Sequence, residues 1–555
     1  MNWRSLLGAG PDPQRRDSLL YGLISYGIPA ALAATGIVVL MLWSQATPRT
    51  GTPQARVPSP ESLKGSALAP VVPGQAFSGG NPAPGTPGAP PGGAGMPGGP
   101  GMGGAPGMPG APGTGMGPGG GLGPPGGIGR PGAGTAGRAS GGGAAVTAGS
   151  GGTVQSLPGS WPRFRGPDLD NIFKESVSLA RSWPAGGPRK LWTVKLGEGY
   201  AGAAIANSRV YVLDYDQAAK ADTLRCFALA DGKELWQTSY PVDVRRNHGM
   251  SRTVPAVSGK YVVTIGPKCH VMCCDAATGK MLWKIDMVQQ WGTTVPQWYA
   301  GQCPLVQGNQ VILAPGGRAL MVAVDIATGK TAWETPNPRG WKMTHASIVP
   351  ATIGGKKLYI WPASLGIVGV STDGKLLWES TDWKVSTATV PSAVPIGDGR
   401  IFLCGGYNAG AAMFRLTAQG DGFVSEVLYR LKSSVFGSDQ HTPILYKGYL
   451  YGVLPGGIPL EKQLACLSLD GQVQWTSGPS QRFGIGPFIM AGGLMYLIND
   501  QGQMTLAEVS PQGYKALATA KVLAGPDAWG PIAMAGTRLI CRDLTTMVCL
   551  DVGGT

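Results

Sequence analysis

Between residues 161 and 552, short apolar runs alternate with polar turns that hold Gly, and the alternation keeps a regular interval. The clearest unit is Ala323-Val-Asp-Ile-Ala-Thr-Gly-Lys-Thr-Ala-Trp333. Cys273-Cys-Asp-Ala-Ala-Thr-Gly-Lys-Met-Leu-Trp283 nearly repeats it, and Cys226-Phe-Ala-Leu-Ala-Asp-Gly-Lys-Glu-Leu-Trp236 is a close variant. Shorter copies end in Asp373-Gly-Lys-Leu-Leu-Trp378 and Asp470-Gly-Gln-Val-Gln-Trp475. Each copy predicts a buried strand, a tight turn at Gly232, Gly279, Gly329, Gly374 or Gly471, and a strand that opens on Trp. Trp192, Trp236, Trp283, Trp333 and Trp378 are spaced by 44, 47, 50 and 45 residues. From Trp378 to Trp475 is 97 residues, two such periods, so one copy between them has lost its Trp.

A second marker runs in phase with the first. Pro255, Pro304, Pro350, Pro391, Pro443, Pro487 and Pro531 each precede a polar or Gly pair and a further apolar strand. In the first unit Ala203 stands in the Pro slot, which makes eight units. A period of this length with four short strands per unit predicts an all-β, eight-bladed β-propeller of four-stranded antiparallel blades.

These residues resemble the pyrroloquinoline-quinone (PQQ) repeat, whose motif runs Ala-x-Asp-x-x-Thr-Gly-Lys-x-x-Trp on the outer two strands of a blade. The resemblance covers residues 161–552 and implies that the Gly makes the turn while the Trp docks on the neighbouring blade. It implies a fold and not an activity, since one fold hosts many functions.

Upstream, the pattern changes twice. Residues 1–18 are polar and carry Arg4, Arg15 and Arg16, whereas residues 19–43 contain no charge. Twenty-five uncharged residues exceed the roughly 20 that cross a bilayer as a helix, and Tyr21 and Trp43 sit where interfacial aromatics belong. A cleaved signal peptide, with an apolar core of about 7–15 residues, fits less well. Three basic residues before the span against Arg49 and Arg56 after it predict a cytoplasmic tail at 1–18 and export of the propeller. The expected location is therefore the inner membrane, single-pass, with the propeller on the periplasmic side. Residues 44–158 are Pro, Gly, Ala, Ser and Thr in irregular order, which excludes a collagen repeat and predicts a disordered linker. Its root-mean-square span would be on the order of 60 Å. Much of the chain's excess of Gly and Pro, which number 90 and 48 in all, is concentrated there.

Ordered chain is expected from 159 to 555. Trp161-Pro-Arg-Phe-Arg-Gly-Pro167 resembles the opening signature of bacterial membrane-attached or secreted PQQ-like propellers. Lys190-Leu-Trp-Thr-Val-Lys-Leu196 has outer-strand character with no blade before it, while Met547-Val-Cys-Leu-Asp-Val552 lacks an outer strand after it. The two ends are expected to pair, so that the N-terminal strand closes the last blade and removes an open edge.

The net charge of +14 comes from scattered basic residues. It forms no stripe, which argues against nucleic-acid binding. Nine Cys lack the paired spacing of a zinc site. Cys226, Cys274, Cys466 and Cys549 fall in nearly the slot that Ala323 fills elsewhere, a place for a small buried group. Cys273-Cys274 is a separate matter, because PQQ alcohol dehydrogenases carry a disulfide between adjacent Cys against their cofactor. Here the two lie on one strand and point to opposite faces.

Candidate binding residues precede the inner strands, where a propeller's channel has its mouth. They are His248, Arg252, Trp298, Tyr299, Gln302, His345, Gln440, His441 and Trp529. Aromatics with Arg and amides suit sugar or peptide recognition, and they equally suit a packed crown of loops. His248, His345 and His441 stand at different depths on non-adjacent blades, an arrangement that argues against a metal. A PQQ dehydrogenase requires calcium held by carboxylate and amide, an Asp base and an Arg. The acidic residues here occupy repeat turns or precede Trp, leaving Asp243, Asp286, Asp382, Asp439 and Asp527 without a pattern.

No catalytic residue, paired carboxylate or phosphate cradle emerges. The expectation is a membrane-tethered binding or scaffolding module for an envelope protein or a glycan, with no cofactor. It is similar to the propellers of outer-membrane-protein assembly scaffolds, although this chain lacks their lipid-attachment box. The alternative is a membrane-bound PQQ-dependent oxidoreductase of alcohols or sugars, which would need PQQ and calcium.

Overall fold

The computed structural model describes residues 145–148 and 154–554, all within one compact unit, Arg130–Thr555. The tail, the apolar stretch 19–43 and most of the linker lie outside the described residues. Among the described residues no helix is long and apolar enough to cross a membrane.

Eight antiparallel sheets follow one another along the chain, each with four strands from the repeat. Blade one runs Ala204–Ala206, Arg209–Asp216, Ala221–Ala228 and Glu234–Pro241. The inner strands of blades two to eight are Ala256–Ser258, Leu305–Gln307, Val349–Ile353, Val394–Pro395, Ile444–Tyr446, Phe488–Ala491 and Ala533–Ala535. The ring closes as the two incomplete ends predict. Arg189–Lys195 pairs antiparallel with Thr546–Asp551, from Arg189 opposite Asp551 to Lys195 opposite Thr546.

Middle strands such as Leu494–Ile498 are buried along their whole length, which is why they read as unbroken apolar runs. Their side chains fill the spaces between blades. Tyr211 and Trp236 of blade one share a core with Val262 and Cys274 of blade two. Another core gathers Trp161, Trp192, Leu213, Ile489 and Leu550 from blades seven, eight and one and from the opening segment. No blade covers its own faces, so the repeats are stable only as a ring.

The repeat motif is legible atom by atom. The Asp275 carboxylate accepts from the backbone N–H groups of Ala277 and Thr278 and from the Thr278 hydroxyl, and Asp325 does the same at Thr328. Gly279 then takes φ 75°, and a Cβ there would stand 2.6 Å from the Trp236 ring of the preceding blade. Gly232 lies in the same way on Trp192, Gly329 on Trp283 and Gly374 on Trp333. The indole N–H groups of Trp192, Trp283 and Trp475 donate to Leu229, Ile326 and Ser510 carbonyls of the next blade. The copy without Trp keeps the contact, because Tyr429 fills the slot opposite Met413 and donates to Leu469 O. Blade seven has lost its Trp as well, with Ala518 opposite Leu506.

Two sequence boundaries shift. The linker does not run unbroken to 158, because Ala145–Ala148 adds antiparallel to the outer strand of blade one. Leu157 is also fixed, exchanging hydrogen bonds with the Ser208 hydroxyl. The small-residue slot in blade two holds Cys273, opposite Trp283, and not Cys274. Cys273 stands ten residues before its Trp, as Cys226 and Ala323 do, and the same bulge follows all three.

One buried acid sits off the channel. Asp222 is fully buried, accepts from Tyr240 OH at 2.5 Å, and leaves Oδ1 without a partner among the described residues. Burial pushes its carboxyl up to about 7. A carboxyl raised in the folded state binds its proton more tightly there than in the unfolded chain. Stability is therefore fully present below about pH 4 and falls as pH rises to about 7. Asp222→Asn is expected to abolish this slope and to gain roughly 2–4 kcal/mol at pH 8. Denaturant melts at pH 5 and pH 8 check it, and parallel slopes for both proteins refute it.

Candidate functional site

The eight inner strands surround a channel, and the loop that leads into each one brings side chains to its mouth. There they enclose a cavity of about 340 Å³. Loops before all eight blades contribute, from Tyr200 ahead of blade one to Trp529 ahead of blade eight. Below them the cavity has a floor, made of Phe164, Arg165 and Asn171 from the opening segment.

That segment is a plug. Trp161 exchanges backbone hydrogen bonds with Ile205 of blade one, and Pro162 O accepts from Val257 N of blade two. Arg163 reaches Val306 O of blade three at 2.9 Å. Asn171 donates to Phe488 O, and Ile172–Phe173 runs parallel to the inner strand of blade seven. Arg165 is buried at its centre, donating to the carbonyls of Leu169, Asp170, Thr442 and Pro443. Residues that read as an opening signature thus cross the channel and stitch distant blades together.

Of the nine sequence candidates, His248, Arg252, Trp298, His345, Gln440, His441 and Trp529 line this cavity. The other two are structural. Tyr299 packs against Tyr215, Val244 and Met250, with its hydroxyl on Arg245 O. Gln302 is fully buried and brackets Ala314, donating to its carbonyl and accepting from its N–H. The sequence reading missed Tyr200 and Tyr407, which also line the cavity. Tyr200 stands three residues before Ala203, the stand-in for the marker Pro, and that phase was its available signal.

The lining is aromatic and cationic, without a carboxylate. Tyr200 and Trp529 lie with ring centroids 4.8 Å apart, and the Arg252 guanidinium sits over Tyr200 at 5.2 Å. Arg252 Nη2 donates to Asn247 O at 2.9 Å and Gly249 O at 3.1 Å, while its Nε is buried without a partner among the described residues. Burial lowers its pKa. Burial and the nearby Arg252 hold His345 down to about 4. His441 is likewise pushed to about 4, chiefly by burial, and its Nε2 meets Ile485 O at 2.6 Å. Both imidazoles are neutral at pH 7.

The carboxylates of Asp500, Asp527, Asp286 and Asp439 are outside the lining and engaged elsewhere. Asp500 accepts from Trp529 Nε1 at 2.7 Å and Ile485 N at 2.8 Å, and Asp527 accepts from Tyr200 OH at 3.2 Å. Asp286 caps the helical turn Met287–Trp291, and Asp439 holds Lys462 at 2.6 Å. Among the described residues no group of three or more His, Cys, Asp or Glu could hold a metal. Cys273 and Cys274 are both free and buried in different inter-blade cores, away from the channel.

The family model for "Outer membrane protein assembly factor BamB" matches residues 220–477. The propeller is of the PQQ-like repeat family. Solved structures of similar fold include a europium-containing methanol dehydrogenase, at 13% identity and TM-score 0.51, covering 69% of this chain and 89% of the other. BamB from Moraxella catarrhalis aligns at 12% identity and TM-score 0.46, over 65% and 97%. Quinohemoprotein alcohol dehydrogenase from Comamonas testosteroni aligns at 12% and 0.49, over 71% and 81%. At such identities the likeness concerns the fold alone. No curated protein matches the sequence.

Proposed function

We propose that this chain is a binding module, tethered to the inner membrane by residues 19–43, whose propeller presents its channel mouth to an envelope protein or a glycan on the periplasmic side. The observation that carries the reading is the composition of the mouth. Every blade supplies part of one aromatic, cationic cavity, and no carboxylate lines it. Rigid aromatic anchors in a recess suit recognition, and burial disfavours the charged form that His345 and His441 would take as general bases. The match to the BamB family model supports a protein partner before a glycan.

The same lining weighs against the oxidoreductase. PQQ carries several carboxylates and sits with calcium, and such a charge needs paired cations and carboxylate ligands in a dry site. Here one Asn faces the cavity with its amide nitrogen engaged on Phe488 O, and Asp or Glu do not reach it.

Cross-linking in intact envelopes, followed by affinity capture, tests the reading. Wild-type protein is expected to recover one defined envelope protein, and Trp298→Ala with Trp529→Ala together to lose it. Capture that survives this double substitution, or heat on titration with PQQ and calcium together with dye-linked alcohol oxidation, would overturn it.

A further inference from the structure

We infer that the channel cavity holds one small carboxylate that carries an apolar ring or side chain, with Arg252 as its counter-charge. The inference rests on the reading of the channel mouth as a binding surface, and it names the chemistry that surface takes.

Charge is unbalanced in the cavity. Two guanidinium groups face the cavity and no carboxylate does. Arg165 is not available, since four carbonyl oxygens surround it in the floor. Arg252 is different. Its two bonds to loop carbonyls use Nη2, and Nε has no acceptor among the described residues although it is shut off from solvent. Arg252 is half-buried, and a cation partly withdrawn from water without a counter-ion is disfavoured, a cost that its contact with the Tyr200 face offsets only in part. A single anion beside Arg252 would complete the site.

The number of charges follows from the same inventory. His345 and His441 are neutral near pH 7 and the donors of Arg165 are engaged in the floor, so beside His248 it is Arg252 whose guanidinium is left to meet one negative charge. The shape follows from the walls. Tyr200, Trp298 and Trp529, with Phe164 and Phe488, make the surface predominantly apolar. The plug makes the channel blind, so what enters does so by one end and stops within about 340 Å³. That admits an aromatic acid or the last residue of a chain, and not a strand passing through. No carboxylate lines the cavity. A polyhydroxylated sugar would leave hydroxyl protons without carboxylate partners, whereas a carboxylate brings only acceptors.

Two sources share this chemistry, a free small acid and the C-terminal residue of a partner. Calorimetry on the full-length protein separates them with five probes: phenylacetate, phenylacetamide, a pentapeptide ending in Phe with a free carboxylate, its amidated form, and glucuronate. Binding of an acid with at least about ten-fold preference over its amide is expected, and about ten-fold weakening in Arg252→Gln. Arg252→Lys, which keeps the charge, is expected to retain most of the affinity. Trp298→Leu, at the half-exposed rim, should weaken both acids while leaving the fold intact, which guards against an Arg252 variant that merely fails to fold. Phenylacetate alone points to a free acid, and the peptide alone points to a chain terminus. Equal binding of acid and amide, binding of glucuronate in their place, or no heat with any probe would overturn the inference. If these probes fail while the envelope partner is still captured, the binding-module reading stands without this ligand. If an acid binds and no partner is captured, the reverse holds.

Discussion

A protein that begins at Gly197 is expected not to fold, whereas one that begins at Val154 melts within a few degrees of the full chain. The difference lies in the closing strand and the plug. Arg189–Lys195 supplies the outer edge of blade eight against Thr546–Asp551, and without it that edge and the apolar faces beside it meet water. Trp192 is buried, lies on Gly232 of blade one and donates to Leu229 O at 3.0 Å. Its removal alone, as Trp192→Ala, is expected to cost roughly 3–5 kcal/mol, set against a typical net stability of about 5–15 kcal/mol. Chemical denaturation of the two truncated proteins and of Trp192→Ala checks this. Cooperative unfolding of the Gly197 protein at the full-length midpoint would sink the closure argument.

The second large effect is expected at Arg165. Substitution by Ala leaves the carbonyls of Thr442 and Pro443, buried where blade six meets the plug, without their charged donor. Hydrogen bonds from a charged group and the desolvation of abandoned acceptors together suggest a loss of roughly 3–5 kcal/mol. Lys in its place recovers little, since an ammonium cannot span four acceptors set around a planar fork. Limited proteolysis should find 161–173 newly cleavable in Arg165→Ala. An unchanged denaturation midpoint with the segment still protected would show that the plug does not hold the ring together.

Much of this was legible because the repeat is built from local chemistry. An Asp that caps its own turn, a Gly that takes positive φ and a Trp ten residues beyond the buried slot all act within one hairpin. Ring closure could be read for a related reason, since two incomplete units are complementary and an unpaired edge is costly. Tyr429 was not legible as a replacement for Trp, because what defines the slot is a carbonyl of the following blade. The plug was hidden too: Arg165 meets Thr442 and Pro443 across 277 and 278 residues, and no periodicity records such a contact.

The candidate site divides along the same line. The phase of His248, Arg252, Trp298, His345, Gln440, His441 and Trp529 relative to the inner strands could be counted along the chain, and all seven line the channel. Tyr299 and Gln302 share that phase yet turn into the loops, since each finds a backbone partner there. Sequence by itself determined the all-β repeat, the number of blades, the turns and the pairing of the two ends, because periodic short-range constraints specify each of them. Tertiary structure alone decided that the channel is blind, that Arg165 is satisfied and that Arg252 is not. Those outcomes depend on which carbonyls and carboxylates eight blades bring to one axis, and that convergence exists only once the ring has closed.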